Sequence, residues 1–363
     1  MNLLKRLIYF LSIFFNDNRA GGKRMRKEIM ARVSIKNIAQ RLNVSTTTVS
    51  LVLNGKEKEG RVGKEIAARI RQVASEMNYE PNYLARGLRI GRSHTIGLIV
   101  ADISNPFFAN LAFYIQEEAE RFGYSVIIVN TNESDLKMEK MINVLKSRQV
   151  DGFIIVPTEN GESSIEDLVK RNIPIVLVDR YFPRLNISSV LVDNYSASVK
   201  AVESLIERGC KNIGLIIYKS SLPHMLERKR GYVDALKKQE VYNSALVKEV
   251  NYSLINTDIV LAIEGLFMKE NSPDGLFFAT NTLAMLGIKE LMRRKATILN
   301  DVKVVSFDKN EAFDFMDISI PYILQPIPEM GKNAVELLIE QIKNNTVISK
   351  CIELQASLTN IPK

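Results

Sequence analysis

The sequence has few of the residues that catalysis and metal binding require. It contains two histidines and two cysteines among 363 residues. Neither His94 nor His224 has a nearby carboxylate or nucleophile in the pattern of an acid–base site, and no metal-ligand spacing or glycine-rich phosphate loop is visible. Cys210 and Cys351 form no disulfide framework, which suits a reducing compartment. We therefore expect no catalytic residue, no metal and no cofactor.

The sequence also lacks an apolar run long enough to cross a bilayer. Residues 3–15 are apolar with three exceptions and imitate a signal peptide, but the uninterrupted part is too short and no small-residue cleavage site follows closely. Met25 and Met30 lie just before the first capped helix, and MARVSIKNIAQ would be a natural beginning. We expect residues 1–29 to be a misassigned or disordered extension, and we expect no membrane partner.

Residues 33–55, VSIKNIAQRLNVSTTTVSLVLNG, have the pattern of two short helices joined by a tight turn. Ser34 and Ser45 stand where an N-cap oxygen satisfies the first free amides of each helix. At about 100° per residue, the second helix has an apolar side and an opposite side that no core requires. The opposite side consists of Thr47, Ser50, Leu51 and Asn54.

The distribution of charge separates the N-terminal part from the rest of the chain. Residues 1–92 hold 19 Lys and Arg against 7 Asp and Glu, a net charge of +12, so that the remainder carries −4 of the total of +8. An ordinary helical hairpin with a solvated face is the alternative interpretation of residues 33–55. The basic charge favours a DNA-reading helix-turn-helix, because it points to a polyanion as the partner of this part alone.

A third helix should close the core of the N-terminal unit. Asn78 is a plausible left-handed terminus for this helix, and residues 33–79 together make a small three-helix unit. The predicted apolar stripe of the third helix comprises Ile66, Ile70, Val73 and Met77.

The following segment, PNYLARGLRIGRS at 81–93, is a poor helix by itself. It is shorter than the length at which isolated helices persist, and Gly87 lowers its helix propensity. Its arginines can contact phosphates, and Leu88 can wedge between base steps in a minor groove. A flexible linker with an incidental leucine is the alternative.

From His94 onward, apolar strands alternate with amphipathic helices, which predicts parallel α/β layers in two similar halves with a cleft between them. Small ligands of such sheets bind beyond the carboxyl ends of the strands. The polar residues that follow predicted strands are Asp102, Asp179, Asn281 and Asp308. Each of them could simply cap the next helix, but as a set converging on one cleft they suit the hydroxyl groups of a sugar or another polyhydroxylated ligand.

The runs SIKNIAQRLNVSTTTVSLVLNG, NYEPNYLARGL and HTIGLIVADISNPFF closely resemble the lac repressor/galactose repressor (LacI/GalR) family of bacterial transcription regulators. The resemblance extends from about residue 32 to the end. It implies a homodimer that binds a near-palindromic operator through recognition helices in successive major grooves, with paired hinge helices at the centre. The body of the chain is then a two-lobed, periplasmic-binding-protein-like effector domain.

The resemblance also implies roles for individual residues. Thr46, Thr47 and Leu51 fall at positions that read bases in the major groove, and Leu88 falls at the minor-groove wedge. Leu51 cannot hydrogen-bond to a base and would contact a thymine methyl group. Phosphate and hinge contacts are expected of Ser45, Ser50, Asn54, Arg86 and Arg89.

For the effector, the resemblance adds four residues to the polar set. They are Phe107, Phe108, Arg228 and Tyr252. Family members usually have Asn-Asp where this chain has Asn281-Thr282. Arg228 is followed by two more cations and could recognise a carboxylate, so that a uronic acid and a neutral sugar both remain open.

We expect a helix-turn-helix domain at 30–80, a hinge helix and linker at 81–93 and an effector and dimerisation domain at 94–363. Its first lobe should span about 94–192 and 326–345, and its second lobe about 193–325 and 346–363. No leucine heptads follow, so we expect a dimer rather than a tetramer. We expect a cytoplasmic, nucleoid-associated bacterial regulator. An exported sugar-binding receptor is the alternative, and a sugar-modifying enzyme lacks an acid–base pair.

Overall fold

The computed structural model describes residues 33–79, 92–268, 272–295, 297–316 and 320–359. The chain divides into two compact units, Met1–Arg86 and Gly87–Lys363, and each is described by itself. The extension predicted at 1–29 and residues 81–91 of the hinge and linker predicted at 81–93, among them Arg86, Leu88 and Arg89, lie outside the described residues. Both therefore stay predictions.

The first unit contains three helices in its described part: α1 (Ile35–Leu42), α2 (Thr46–Leu53) and α3 (Lys64–Glu76). Ser34 and Ser45 cap α1 and α2 as predicted, since their side chains accept hydrogen bonds from the amides of Asn37 and Thr48. Asn43 turns the chain between these helices with a left-handed φ of 50°. Asn78 has a left-handed φ of 48°, as expected.

The buried side of α3 differs from the predicted stripe. Ile66 is 38% exposed, whereas Ala67, Ile70 and Ala74 are buried against the first two helices. The small alanine side chains allow α3 to approach its neighbours closely, which turns the larger Ile66 toward solvent. The predicted stripe is therefore wrong by about one position at its start.

The second unit contains two α/β lobes, each built on one sheet. The chain first forms β1 (Thr95–Val100), α4 (Pro106–Arg121), β2 (Ser125–Asn130), α5 (Asp135–Ser147), β3 (Gly152–Ile155), α6 (Glu162–Lys170), β4 (Ile175–Val178) and β5 (Ser189–Val192). It continues with α7 (Asn194–Glu207), β6 (Ile213–Tyr218), α8 (Pro223–Lys238), β7 (Val247–Val250), α9 (Ile255–Phe267), β8 (Gly275–Phe278), α10 (Asn281–Arg294), α11 (Ile298–Asp301), β9 (Lys303–Phe307) and β10 (Tyr322–Leu324). It ends with α12 (Ile327–Asn344), β11 (Cys351–Leu354) and β12 (Ser357–Leu358).

Each sheet has six strands. The first sheet has the order β11-β5-β4-β3-β1-β2 and is parallel throughout, and the second has the order β12-β10-β9-β8-β6-β7 with only β12 antiparallel. The central strands are covered by helices, which explains their continuous apolar sequences. We refer to each sheet with its helices as the first and the second lobe.

The C-terminal segment corrects one predicted boundary. Residues 346–363 were expected in the second lobe, but β11 pairs in parallel with β5 of the first sheet, and only β12 pairs with β10 of the second. These strands are four and two residues long, so no periodicity identifies the sheet that they join. Helix α12 follows β10 of the second sheet in the chain but packs on β3, β4 and α4 of the first lobe.

Among the described residues, no helix is both long and apolar enough to cross a membrane.

Candidate functional site

A cleft of about 580 Å³ lies between the two lobes, at the carboxyl ends of their central strands. Its volume is in the range of pockets that hold a small ligand. Seven of the eight predicted effector residues line it: Asp102, Phe107, Phe108, Asp179, Arg228, Tyr252 and Asp308. The eighth, Asn281, is buried behind the cleft wall.

Asp179 and Asp308 occupy matching positions in the two lobes. Each directly follows a central strand, β4 or β9, and each has a left-handed backbone, with φ of 68° and 69°. Burial raises the pKa of both carboxyl groups, that of Asp308 to about 6. Gln325 Nε2 donates a hydrogen bond of 2.7 Å to Asp308 Oδ1. The two acids therefore enter the cleft from opposite lobes, as predicted from their positions after strands.

Arg228 is held rigidly beside these acids. Its Nε donates to Asn194 Oδ1 at 2.8 Å and its Nη1 donates to the Ala279 carbonyl at 2.7 Å. The guanidinium carbon lies 3.4 Å from the centre of the Phe307 ring. Although burial lowers the pKa of Arg228, Asp308 and Asp179 act in the opposite direction, and arginine keeps its charge in proteins. Only Nη2 is left without a partner among the described residues.

A buried ion pair in the cleft was missed by the sequence analysis. Arg180 donates from Nη1 and Nη2 to the two carboxylate oxygens of Glu133, both at 2.7 Å, which is the bidentate geometry typical of arginine and carboxylate. Its Nε lies 3.4 Å from Asp179 Oδ2, without hydrogen-bond geometry. The only sequence signal for Arg180 is its place directly after Asp179. Glu133 lies 47 residues away, and no spacing pattern relates the two.

His224 is a further residue that the sequence analysis did not assign to the cleft. It lies in the first turn of α8, is 5% exposed and lines the cleft. Its Nδ1 has no hydrogen-bond partner in the described part of the chain. Burial and the nearby charges of Arg180 and Arg228 hold its pKa well below the ordinary value. The ring is therefore neutral and presents an unpaired nitrogen.

Aromatic side chains form the rest of the wall. The rings of Phe107 and Phe108 lie 5.0 Å apart at a T-shaped angle, and both are buried. Tyr252 is 40% exposed, and its ring lies 5.6 Å from that of Tyr218. The exposed aromatic ring of Tyr252 therefore gives the cleft an apolar face on which the C–H groups of a ligand ring can pack.

Asn281 connects the lobes instead of facing the cleft. Its Nδ2 donates to Asn105 Oδ1 of the first lobe at 3.2 Å and to the Lys309 carbonyl at 3.4 Å. Asn105 Nδ2 in turn donates to Thr282 Oγ1 at 3.4 Å. Thr282 thus lines the cleft, and its hydroxyl group accepts a hydrogen bond from the other lobe.

A second bridge between the lobes lies at Glu159, which follows β3. Glu159 Oε1 accepts hydrogen bonds from the backbone amide of Ser221 at 2.5 Å and from its hydroxyl group at 2.6 Å. Asp102, by contrast, is engaged locally, because its Oδ1 accepts from the amide and hydroxyl of Ser104 at 2.9 and 2.6 Å.

In the first unit, the predicted base-reading residues lie on α2. Thr46 and Thr47 are exposed, whereas Leu51 is half-buried. A Cβ atom added to Gly60 would lie 2.4 Å from Leu51 Cδ1. Leu51 therefore packs against the loop that follows α2, which the sequence analysis did not foresee because the loop's path is not encoded in helical spacing.

The predicted phosphate contacts have local partners. Ser45 Oγ accepts from the Thr48 amide at 3.0 Å as the N-cap of α2. Asn54 Nδ2 donates to the Ser50 carbonyl at 2.6 Å and to its hydroxyl oxygen at 3.3 Å. These bonds order both ends of α2. The cap uses the Thr48 amide, so the amides of Thr46 and Thr47 are those that remain for an anion.

The chain thus combines a helix-turn-helix unit with a two-lobed unit that has a ligand cleft, which defines a ligand-controlled DNA-binding regulator. Residues 34–82 match the family model for bacterial regulatory proteins of the lacI family, and residues 93–360 match that for periplasmic binding proteins and the sugar binding domain of the LacI family. The chain belongs to the LacI family of bacterial transcription regulators. The exported receptor is not favoured, because such a receptor has no use for the DNA-binding domain.

Relatives of known role match over most of their length. The ribose operon repressor of Halalkalibacterium halodurans is 32% identical over 325 residues, which cover 90% of this chain and 95% of the relative. Catabolite control protein A of Priestia megaterium is 29% identical over 89% of this chain and 96% of its own. The crystal structure of the lac repressor dimer bound to operator and the anti-inducer ONPF has a TM-score of 0.78 at 19% identity, with coverage of 90% of this chain and 98% of that chain. The last match shows the fold alone.

Proposed function

We propose that this protein is a repressor that binds a near-palindromic operator as a homodimer, and that a neutral sugar in the cleft controls its operator affinity. Its place of action is the cytoplasm, at the nucleoid, where the operator lies. The helix-turn-helix and sugar-binding family matches support the regulator. The geometry around Arg228 supports the neutral ligand.

Arg228 is poorly arranged to bind a carboxylate. Nε and one N–H of Nη1 are already used by Asn194 and Ala279, so the side-on fork of Nε and Nη2, which binds a carboxylate with two hydrogen bonds, is not free. Asp179 and Asp308 flank it, and a carboxylate ligand would be repelled by both. Hydroxyl groups instead can donate to these acids and accept from Nη2. Of the two ligand classes left open by the sequence, a neutral sugar is therefore favoured over a uronic acid.

Control of DNA binding follows from the position of the cleft between the lobes. A ligand that favours one arrangement of the lobes changes their angle and so, in a dimer, the spacing of the two copies of residues 81–93. A differential affinity of a few kcal/mol for the two arrangements is enough for regulation. Held close, these segments fold on DNA with Leu88 at the centre of the operator, and held apart they unfold. Both an inducing and a corepressing ligand are compatible with this mechanism.

We propose that the second copy packs on the edge of the first lobe. Strand β2 is the edge of the first sheet. Its Ile127 and Ile128 point to opposite faces of the sheet, and both are partly exposed, by 36% and 38%. Phe113 on the adjacent helix α4 is 56% exposed. An exposed apolar edge strand of this kind promotes aggregation unless another chain covers it.

The cleft is proposed to bind its ligand without transforming it, since the matched relatives are regulators of transcription.

The test is a selection of duplexes from a random pool, followed by binding titrations at several salt concentrations. The selected duplex should bind far more tightly than random duplex, and neutral pentoses and hexoses, with D-ribose as first probe, should shift its affinity at least fivefold. Glucuronate and galacturonate should have no effect. A shift with uronates alone would contradict the neutral ligand, and the absence of any duplex preference would contradict the regulator. Arg228→Met should abolish the sugar response.

A further inference from the structure

The first described residues of the second unit are tightly anchored. Arg92 Nη2 donates to the Ile342 carbonyl near the end of α12 at 2.8 Å. The backbone amides of Ser93 and His94 donate to the two oxygens of Asp151, at 2.7 and 2.9 Å. The Ser93 hydroxyl group adds a third bond to Asp151 at 2.9 Å. Three consecutive residues are therefore held by groups far away in the sequence.

Both anchors belong to the centre of the first lobe. Asp151 directly precedes β3, and its own amide donates to the Thr95 carbonyl of β1 at 2.8 Å. Ile342 is buried, and the preceding Gln341 is hydrogen-bonded through its side chain to the start of β4. The ring of His94 also lies 5.1 Å from the ring of Tyr124. Residues 92–94 must consequently move with the first lobe as one body.

We propose that Arg92 and Asp151 are positioning residues for regulation: they join residues 92–94 rigidly to the first lobe, so that a rotation of this lobe is passed to the segment leading to the DNA-binding unit. The proposal rests on the proposed function. Every free residue adds two soft dihedrals to a chain, and a flexible Gly-containing connection would absorb a displacement of a few ångströms. The anchors remove that conformational freedom at residues 92–94, where the chain enters the first lobe.

Hydrogen exchange can test this without knowledge of the sugar, because coupling between two sites is reciprocal. If lobe movement alters operator binding, operator binding must alter the lobes. The full chain is measured by mass spectrometry with and without a saturating amount of the duplex selected from the random pool. In the wild type, the duplex should change exchange by severalfold in residues 179–182 and 218–225, most of which line the cleft.

The variant Arg92→Met/Asp151→Asn should lose at least half of that change at saturating duplex, while its thermal midpoint stays close to that of the wild type. Arg92→Met alone should show a smaller loss, and Arg92→Lys, which keeps a donor, should restore the response. Arg148→Met is the matched control, because Arg148 is exposed and has no side-chain partner among the described residues, three positions before Asp151.

An undiminished response in Arg92→Met and in the double variant would overturn the proposal, and so would a wild type whose cleft does not respond to the duplex. A failure of the proposed function would show earlier, as a selection that yields no preferred duplex. The two failures are therefore distinguishable.

Discussion

The side chain of Gln341 pairs with the backbone of Ile175 as a neighbouring strand would. Gln341 Oε1 accepts from the Ile175 amide at 3.1 Å, and its Nε2 donates to the Ile175 carbonyl at 2.9 Å. The pairing of β5 with β4 begins only at Leu177, so β5 offers Ile175 no partner. A fully buried glutamine of α12 thus completes the first sheet.

Replacing Gln341 by Leu should destabilise the second unit. The new side chain has a similar size but leaves the amide and carbonyl of Ile175 buried without partners, which costs about 2 to 4 kcal/mol in the free energy of unfolding. Urea unfolding followed by circular dichroism measures this loss. Glu340→Leu changes the exposed neighbouring residue of the same helix and should cost less than about 1 kcal/mol. Equal losses in the two variants would contradict the prediction.

Asp308 should make stability depend on pH. Its folded pKa of about 6 lies above the ordinary value of 3.8 because of burial, so the folded state binds this proton more tightly than the unfolded chain. The resulting stabilisation is fully present below the ordinary pKa and is lost as the pH rises through the folded pKa. Asp308→Asn removes this titration and keeps an acceptor for Gln325.

The free energy of unfolding of the wild type, relative to Asp308→Asn, should therefore rise by about 2 kcal/mol between about pH 7.5 and about pH 4.5. Denaturant titrations of both proteins at several pH values measure this difference in the free energy of unfolding. The contributions of all other groups that titrate equally in the two proteins cancel in it. A difference that stays constant, or that falls toward acid pH, would show that Asp308 is not a buried acid of this kind.

Gly60→Ala should weaken specific DNA binding through Leu51. The added Cβ would lie 2.4 Å from Leu51 Cδ1, so Leu51 must move on the face of α2 that is proposed to read bases. We expect roughly a tenfold loss of affinity for the selected duplex, equivalent to the lower part of the range for one base contact, and little change for random duplex. Fluorescence anisotropy measures both.

Gly63→Ala is the matched control for this change, because nothing lies within 4 Å of the Cβ that it adds. If both glycine variants bind the selected duplex as the wild type does, Leu51 has no part in specificity.

Phe113→Asp should impair dimerisation. A charge in the centre of the proposed apolar edge would have to be desolvated in the dimer, and sedimentation velocity should show a shift from dimer toward monomer. Val241→Asp, at an apolar position that is 40% exposed but lies on another part of the unit, should remain dimeric. A dimeric Phe113→Asp protein would exclude the α4 and β2 edge as the interface.

Much of the site was accessible to sequence reasoning because it follows local rules. Ser34 and Ser45 predict helix starts because their side chains can cap a helix, and both caps are present. Asp179 and Asp308 follow apolar strands, and a parallel sheet brings such positions to one edge. Arg228, Phe107 and Tyr252 entered through the family resemblance, since nothing in their local pattern marks them as cleft residues.

The remaining residues of the cleft depend on pairs that are distant in the chain. Glu133 meets Arg180, and Glu159 meets Ser221, but each partner alone has the pattern of an ordinary surface residue. Asn281 was predicted to face the cleft and instead bonds to Asn105 of the other lobe. A side chain's direction within the first turn of a helix depends on what packs beside it, which periodicity does not contain.

The sequence by itself determined the kind of elements, their order and the presence of a DNA-binding unit ahead of an α/β body, because capping, periodicity and net charge act over a few residues or over composition. Only the tertiary structure decided that β11 joins the first sheet, that Gln341 replaces a missing strand and that the Nε of Arg228 is already bonded to Asn194. Those outcomes depend on contacts between residues far apart in the chain, whose energies arise only when the fold has brought them together.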